Sequence, residues 1–405
     1  MLKGNAGERD ESLSLLASQV DTEEMLELLT RRYSWSQSDP KGGVFYPSMS
    51  APELSLSIDE SGLITEVRRH RRGTDATLPA IEAEIRAALV PDAERQVHSA
   101  LFLAGLPVSG FYRAPGSVFQ ISPAPPDAPR PPAIMGDHPF VFQYQIVPSS
   151  DDSVTRQRSH RAVVEWIWFL NGVLGDRITL GSSSGGGQAW VHDPSRRAGD
   201  TTPRASVWAH EGYWYPDWQP PRAFLALGQA LPEVDAQSYY GRFGSLDDRF
   251  DLPATMGSTV ERYMGLSASQ RVRFLRAAQW VTAAIQIAGV HRASAVIAQV
   301  AAIETLAFEE RTPDICPVCG SDGNLRPTKR FVEFVENHAP GLSRTNYQEL
   351  YDARSDLVHG RIGLHRDAPF RSHTAFASEP QNRTTERLSR VTSAVMINWL
   401  RHPTS

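Results

Sequence analysis

Across the last 150 positions of this chain the apolar residues recur at helical spacing almost without interruption, and this periodicity narrows the fold more than any other feature. Phe274, Ala278, Val281, Ile285 and Ala288 follow a 4-3-4-3 rhythm that lines one face of a helix. Ser294 reads as the N-cap of a second helix, with Val296, Val300, Ile303 and Ala307 on one stripe. Phe331–Asn337 forms a short third. Thr345-Asn-Tyr-Gln348 has capping-box spacing and opens a fourth, which runs through Tyr347, Leu350, Tyr351 and Val358 and stops at Gly360. Thr384 or Thr385 caps a last helix with Leu388, Val391, Val395 and Trp399 inward. Five amphipathic helices with short connections predict a small up-and-down bundle over residues 256–405.

Residues 1–255 have a different texture, mixed α and β, and read as one domain or two subdomains. A helix is expected within Glu11–Tyr33. Leu54–Ile58 and Leu63–Val67 alternate around Asp59-Glu-Ser-Gly62, the pattern of a hairpin. Pro79–Leu89 looks helical behind a Thr77 cap. Strands are expected at Val97–Leu106, Ser117–Ile121 and Phe140–Ile146, with a stiff proline-rich connector at Pro123–Pro132 and a helix over Ser153–Leu174. The segment Trp166–Trp218 holds six of the nine tryptophans and the loop Gly181–Gly187. That loop lacks the Lys-Ser/Thr ending of a phosphate-binding P-loop, and the tryptophans suit ordinary packing better than a base-stacking surface. The fold class expected for the whole chain is therefore α+β.

Composition excludes several classes. A charged fraction of 21% and a net charge of −5 fit neither a disordered tail nor a protein that binds nucleic acid by bulk charge. Two cysteines cannot staple 405 residues. No window reaches the roughly 20 apolar residues of a membrane span, and the N-terminus has no apolar signal core, so a cytoplasmic location with no membrane partner is expected. Residues 256–405 carry 18 basic against 14 acidic side chains, which places the more anion-friendly surface on the helical part.

One pair on the fourth helix carries chemistry. Arginine and histidine separated by four to six residues is a weak pattern: with 38 arginines and 12 histidines, about one match per offset arises by chance. Three matches occur: Arg354/His359, Arg204/His210 and Arg366/His373. Context selects the first. Arg366/His373 falls in a polar loop and Arg204/His210 in an irregular tryptophan-rich stretch, whereas Arg354/His359 lies on a capped helix, with Arg354 on the face of Tyr347, Tyr351 and Val358. An arginine removed from water needs an anion, either an internal carboxylate or a bound phosphate.

Tyr351-Asp-Ala-Arg-Ser-Asp-Leu-Val-His-Gly360 resembles the RS-x-x-VHG signature of Apea-like HEPN domains, members of the R-x4-6-H ribonuclease superfamily. Val300-Ala-Ala-Ile-Glu-Thr-Leu306 is similar to the family's preceding helix, and the ending Ile397-Asn-Trp-Leu400 fits as well; the resemblance covers residues 256–405. It implies metal-independent RNA cleavage at a composite site formed by a homodimer. Arg354 would hold the scissile phosphate and His359 would act as general base or acid, leaving a 2′,3′-cyclic phosphate and a 5′-hydroxyl. Ser355, where ribonuclease members often carry Asn or Asp, would orient His359 or the phosphate. Glu304, in the preceding helix, would pair with Arg354 and orient it. Some members of the family are inactive and serve as dimerisation, RNA- or protein-binding modules or as regulatory partners.

Cys316-Pro-Val-Cys-Gly320 has the form of a zinc-knuckle turn, two thiolates on a tight loop, and makes Cys316 and Cys319 candidate ligands of a structural zinc. His338, His291 or a second protomer would have to complete it. The expectation from sequence is thus a two-part chain. Residues 1–255 sense or recruit an unknown trigger, and a C-terminal ribonuclease serves as the toxic effector of a bacterial phage-defence, abortive-infection or toxin system.

Overall fold

The computed structural model describes residues 22–32, 34–39, 42–46, 54–58, 64–69, 94–126, 138–175, 178–180, 189–192, 207–210, 218–241, 249–288, 291–307, 327–341, 344–361 and 375–403, together with a few single positions. The chain is α+β and divides into two units, Met1–Gln96 with Gln145–Ala162, and Val97–Tyr144 with Val163–Ser405. Among the described residues, no helix is long and apolar enough to cross a membrane.

The first unit contains helix α1 (Thr22–Arg32) and an antiparallel meander of four strands, β1 (Ser34–Asp39), β2 (Gly42–Tyr46), β3 (Leu54–Ile58) and β4 (Ile64–Arg69), in that order. The expected hairpin is β3–β4, with Leu56 opposite Val67. Leu56 is buried between the half-buried Ser55 and the exposed Ser57, as period-two alternation requires. The unit also takes in helix α2 (Asp152–Leu174) as far as Ala162. Asp151 caps α2: its Oδ1 accepts the Ser153 and Val154 N–H groups at 2.7 and 3.2 Å. Arg158 grips the buried Glu24 with both edges of a fork (Nε–Oε1 3.0 Å, Nη2–Oε2 2.9 Å), while its Nη1 donates to the Val147 and Pro148 carbonyls. An arginine so fully used is a structural clamp between α1 and α2.

The second unit is built on a five-stranded sheet ordered β6 (Tyr112–Arg113), β7 (Phe119–Pro123), β8 (His138–Ile146), β5 (Gln96–Ala104), β9 (Ile178–Leu180). The β7–β8 register sets Phe119 against Tyr144, Gln120 against Gln143 and Ile121 against Phe142, which sorts the side chains onto two faces. Phe119 and Phe142 meet Trp166 of α2 at ring separations of 4.8 and 6.3 Å. The other face carries Gln120, Ser122 and Gln143, all fully buried. Gln143 accepts the Leu225 N–H at 2.8 Å and donates to the Ala223 carbonyl at 2.7 Å; Gln120 donates to the Leu225 carbonyl at 3.0 Å. Two glutamine amides thus do the work of a missing strand and tie an irregular segment to the sheet. Short pairings join β10 (Ala189–His192) to β11 (Val207–His210), and β12 (Glu233–Val234) to β13 (Leu252–Pro253). Helix α3 (Ala236–Gly241) follows β12.

The helices after residue 255 are α4 (Met256–Met264), α5 (Ala268–Ile287), α6 (Arg292–Ala307), α7 (Pro327–His338), α8 (Arg344–Val358) and α9 (Ala375–Arg401). Helix α6 is the hub, packed against α5, α7, α8 and α9. Several expectations are corrected. Helix α4 stands in addition to the five read from sequence. Helix α5 starts earlier, at a capping box in which Ser267 and Gln270 satisfy each other's backbone N–H. The N-cap role given to Ser294 falls to His291, whose Nδ1 accepts the Ser294 N–H at 3.2 Å. Helix α9 starts at Ala375, not at Thr384 or Thr385, and runs through Pro380. The expected Pro79–Leu89 helix lies almost wholly outside the described residues, and the Gly181–Gly187 loop entirely so.

Asn171 locks α2 to β9 and α5. Its Oδ1 accepts the Ile178 N–H at 2.8 Å, and its Nδ2 donates to the Ile178 carbonyl at 3.0 Å and to the Thr282 hydroxyl at 3.3 Å. All of these groups are buried, so Asn171→Leu strands two backbone groups and should cost about 2–4 kcal/mol. A fall in urea midpoint at constant slope is the expected result; a change under about 0.5 kcal/mol would contradict this assignment.

Candidate functional site

Helix α8 sits on α6 and α7 because Tyr347, Leu350 and Tyr351 point inward. The Tyr347 hydroxyl donates to the Ala339 carbonyl, and the Tyr351 ring lies 5.1 Å from that of Phe331 on α7. The helix ends as its glycine predicts. Gly360 takes φ +66°, its N–H reaches the Leu357 carbonyl at 3.2 Å, and the Arg361 N–H reaches the Asp356 carbonyl at 2.8 Å. This pair of bonds is a Schellman motif, which fixes the last turn without side-chain help. His359 is the C-cap, one residue past the last helical position. The His359 N–H bonds the Ser355 carbonyl at 3.0 Å, and its side chain is exposed. Val358, expected inward, is 49% exposed, because the closing turn carries it past the packing contacts.

Arg354 lies on the same helix with 28% of its side chain exposed. Its Nη2 approaches Glu304 Oε2 of α6 at 3.4 Å, a single long contact, where a bidentate pair would bring two bonds to about 2.8 Å. Its Nε is buried and, among the described residues, has no hydrogen-bond partner. Its Cζ stands 6.0 Å from the centroid of the Tyr351 ring. Glu304, 16% exposed, has its carboxyl pushed above the ordinary glutamate range: burial disfavours the anion, and the Arg354 charge and the nearby Tyr351 side chain oppose burial without cancelling it. Burial foremost, together with the neighbouring carboxylate, pushes the Tyr351 phenol up.

The structure brings the Arg354 guanidinium to 3.4 Å from the Glu304 carboxylate and leaves Ser355 half-buried. Arg354 and His359 do not share a helix face. Five residues of α-helix separate them by about 7.5 Å along the axis and roughly 140° around it. Tyr351 was read from sequence as packing alone; its place three residues before Arg354, one turn away on the same face, was the available signal for a partner of the guanidinium.

Cys316 and Cys319 lie outside the described residues. Among the described residues no cluster of three or more metal-ligating side chains occurs. Of the two histidines considered as further ligands, His338 directs Nδ1 to the Phe334 carbonyl at 2.9 Å, and His291 uses Nδ1 to cap α6. Trp166 and Trp399 are core residues, and Trp218 is partly buried against Leu101 and Val141.

The Glu304 environment predicts a pH dependence. A carboxyl whose folded-state pKa exceeds its unfolded value contributes stability at low pH and loses it as pH rises through the folded value. Glu304→Gln should thus gain on the parent as pH climbs from the ordinary glutamate range toward neutrality, read as the melting-temperature difference at each pH. A difference that stays flat, or reverses, contradicts the assignment.

Comparison with protein-family models, curated proteins and solved structures finds no match for this chain.

Proposed function

We propose that the chain is a metal-independent endoribonuclease of HEPN type that acts as a homodimer. In this reading it is the toxic effector of a bacterial phage-defence, abortive-infection or toxin system, with the N-terminal region sensing the trigger. The observation that carries the reading is the state of Arg354: a partly buried guanidinium, loosely paired and with Nε unengaged, on a helix whose rigid end presents His359 to solvent. A loosely held arginine can exchange its carboxylate for a phosphate, and an exposed imidazole can reach a substrate hydroxyl. The defence role rests on family analogy.

In the proposed reaction His359 takes the proton of a ribose 2′-hydroxyl, and O2′ attacks the adjacent phosphorus. Arg354 holds the non-bridging oxygens as negative charge develops there. The P–O5′ bond breaks, O5′ receives a proton, and the ends are a 2′,3′-cyclic phosphate and a 5′-hydroxyl. The angular separation of Arg354 and His359 on one helix favours a second copy, whose His359 would supply the proton to O5′ through a symmetric interface. Cys316 and Cys319 enter only as candidate ligands of a structural zinc.

A second reading is a non-catalytic HEPN module for dimerisation, for RNA or protein binding, or for regulating another effector. Glu304 itself favours it, since an internal carboxylate already gives Arg354 an anion.

His359→Ala separates the two. The ring is exposed, so stability should change by less than about 1 kcal/mol, while RNA cleavage and toxicity on induced expression should fall by at least about a hundredfold. A substrate with a 2′-deoxy sugar just before the cut should resist. Parental cleavage by His359→Ala, or equal cleavage of the deoxy substrate, rules the ribonuclease out. Chelation should lower the melting temperature if zinc is bound and leave the cleavage rate unchanged at a temperature where the protein stays folded; cleavage that stops on chelation while the protein remains folded rules out a metal-independent mechanism.

A further inference from the structure

We infer that the polar face of the five-stranded sheet is a recognition surface for an open, proline-led peptide, and that residues 218–227 of this chain are its resident occupant, which a segment of a partner protein displaces. The inference stands apart from the ribonuclease reading.

Ser99 of β5, Gln143 of β8, Gln120 of β7 and Arg113 of β6 form a row across four strands and are bonded to one another. Gln143 Nε2 donates to Ser99 Oγ at 3.2 Å, Gln120 Nε2 to Gln143 Oε1 at 3.3 Å, and Arg113 Nε to Gln120 Oε1 at 2.7 Å. Residues 218–227 follow this row as an open chain with bends at Arg222 and Ala223. The row reads the backbone of that chain at every second residue. Ser99 Oγ donates to the Pro221 carbonyl at 2.5 Å and Gln143 Nε2 to the Ala223 carbonyl at 2.7 Å. Gln120 Nε2 and Arg113 Nη2 donate to the Leu225 carbonyl at 3.0 and 3.1 Å, and Gln143 Oε1 accepts the Leu225 N–H at 2.8 Å. Two side-chain features add to these bonds: Arg113 lies 5.1 Å from the centroid of the Phe224 ring, and Trp218 and Leu225 pack on Leu101 and Val141.

Two observations set this arrangement apart from a closed core. Gln120, Ser122 and Gln143 are 0% exposed, yet the chain that covers them lies largely outside, with Gln219, Pro220, Arg222, Ala223, Ala226 and Leu227 exposed. The covered groups are also polar. An apolar face is costly to uncover, whereas these amides and hydroxyls accept water in place of the segment and hold one another in position along the row. The apolar cost of uncovering is confined to the patch at Leu101 and Val141. The chemistry of the occupant follows from the contacts. Pro220-Pro221 pre-sets an extended entry, and main-chain groups carry the bonds. An N–H is required at the Leu225 position, and an aromatic ring precedes it against Arg113.

The probe is a fluorescent synthetic peptide with the sequence Trp218-Gln-Pro-Pro-Arg-Ala-Phe-Leu-Ala-Leu227, titrated into the full-length chain and read by anisotropy. In the parent the tethered segment competes at high effective concentration, so binding is weak. Leu225→Pro in the protein deletes the N–H that Gln143 accepts and loosens the segment. This variant should bind the probe about tenfold tighter than the parent, the worth of one hydrogen bond together with the constraint that proline places on Phe224. The same change made in the peptide should weaken its binding to that variant about tenfold. Should Leu225→Pro fail to fold, the parent decides by hydrogen exchange: excess peptide must speed exchange at the Leu225 N–H and leave the β7 and β8 amides protected.

A peptide that binds neither protein overturns the proposal, as does equal binding of the two peptides or a Leu225 N–H indifferent to the probe. A Leu225→Pro protein with a lowered melting temperature and no gain in peptide affinity does the same, because the segment is then only part of the fold. A Leu225→Pro chain that dimerises in light scattering and thereby excludes the probe makes a second copy the occupant and overturns the choice of a partner protein.

Discussion

A continuous line of aromatic rings joins the sheet of the second unit to its last helix, and the placement of the other helices follows from it. Phe102 stacks on Phe142 at 4.5 Å, Phe142 on Phe119 at 5.2 Å, and Phe119 meets Trp166 edge-on at 4.8 Å. Trp166 passes the contact to Phe169, Phe169 to Tyr263, Tyr263 to Phe274, and Phe274 to Trp399. These rings come from β5, β7, β8, α2, α4, α5 and α9, so one apolar seam fixes elements far apart in sequence. Each ring buries a large apolar area and prefers an offset or edge-on neighbour, which limits both distance and angle between the elements that carry it. Gly172 serves the same seam: a Cβ there would stand 3.2 Å from Ala278 and 3.1 Å from the end of Met396, so a side chain would hold α2, α5 and α9 apart.

Helix α6 depends on that seam. With α5 and α9 fixed, α6 is enclosed by four helices, and Glu304 is carried into a partly desolvated position opposite α8. Arg273 of α5 secures the far end of α6 by donating to the Thr305 and Leu306 carbonyls at 3.1 and 2.7 Å, which satisfies two groups a helix end otherwise leaves open. The strained electrostatics at Arg354 are therefore a product of packing. Glu304 cannot retreat to solvent, Tyr351 is held by Phe331, and the guanidinium is left between them with a donor unused. In contrast, the Arg158–Glu24 clamp of the first unit has all three guanidinium nitrogens engaged, which marks a structural pair and sets the standard against which the looseness at Arg354 is measured.

Local chemistry made much of the architecture legible. Strands β5, β7, β8 and the β3–β4 hairpin follow from alternation, α2 from its length and periodicity, and the end of α8 from a glycine that alone tolerates φ +66° without strain. The misses share a cause. The early start of α9 runs against the local penalty of Pro380, which makes a later start look favourable from sequence. His291 caps α6 in place of Ser294 because any acceptor at the right height suffices, and backbone geometry makes the choice. The glutamines facing Leu225 carry no periodic signal, since their partners are backbone groups of an irregular segment about 80 to 105 residues away in the chain.

The sequence by itself determined the α+β class, the glycine stop of α8 and the presence of Arg354 and His359 on that one segment. Those properties depend on neighbours within a turn or a hairpin, where spacing and residue type decide the energy. Only the tertiary structure decided how Arg354 is held. Its carboxylate partner comes from another helix, the ring beneath it is braced by a third, and the unfilled Nε follows from how far apart packing sets those helices. Hydrogen bonds fail over a few tenths of an ångström, and distances of that kind are fixed by the whole core and by no local pattern.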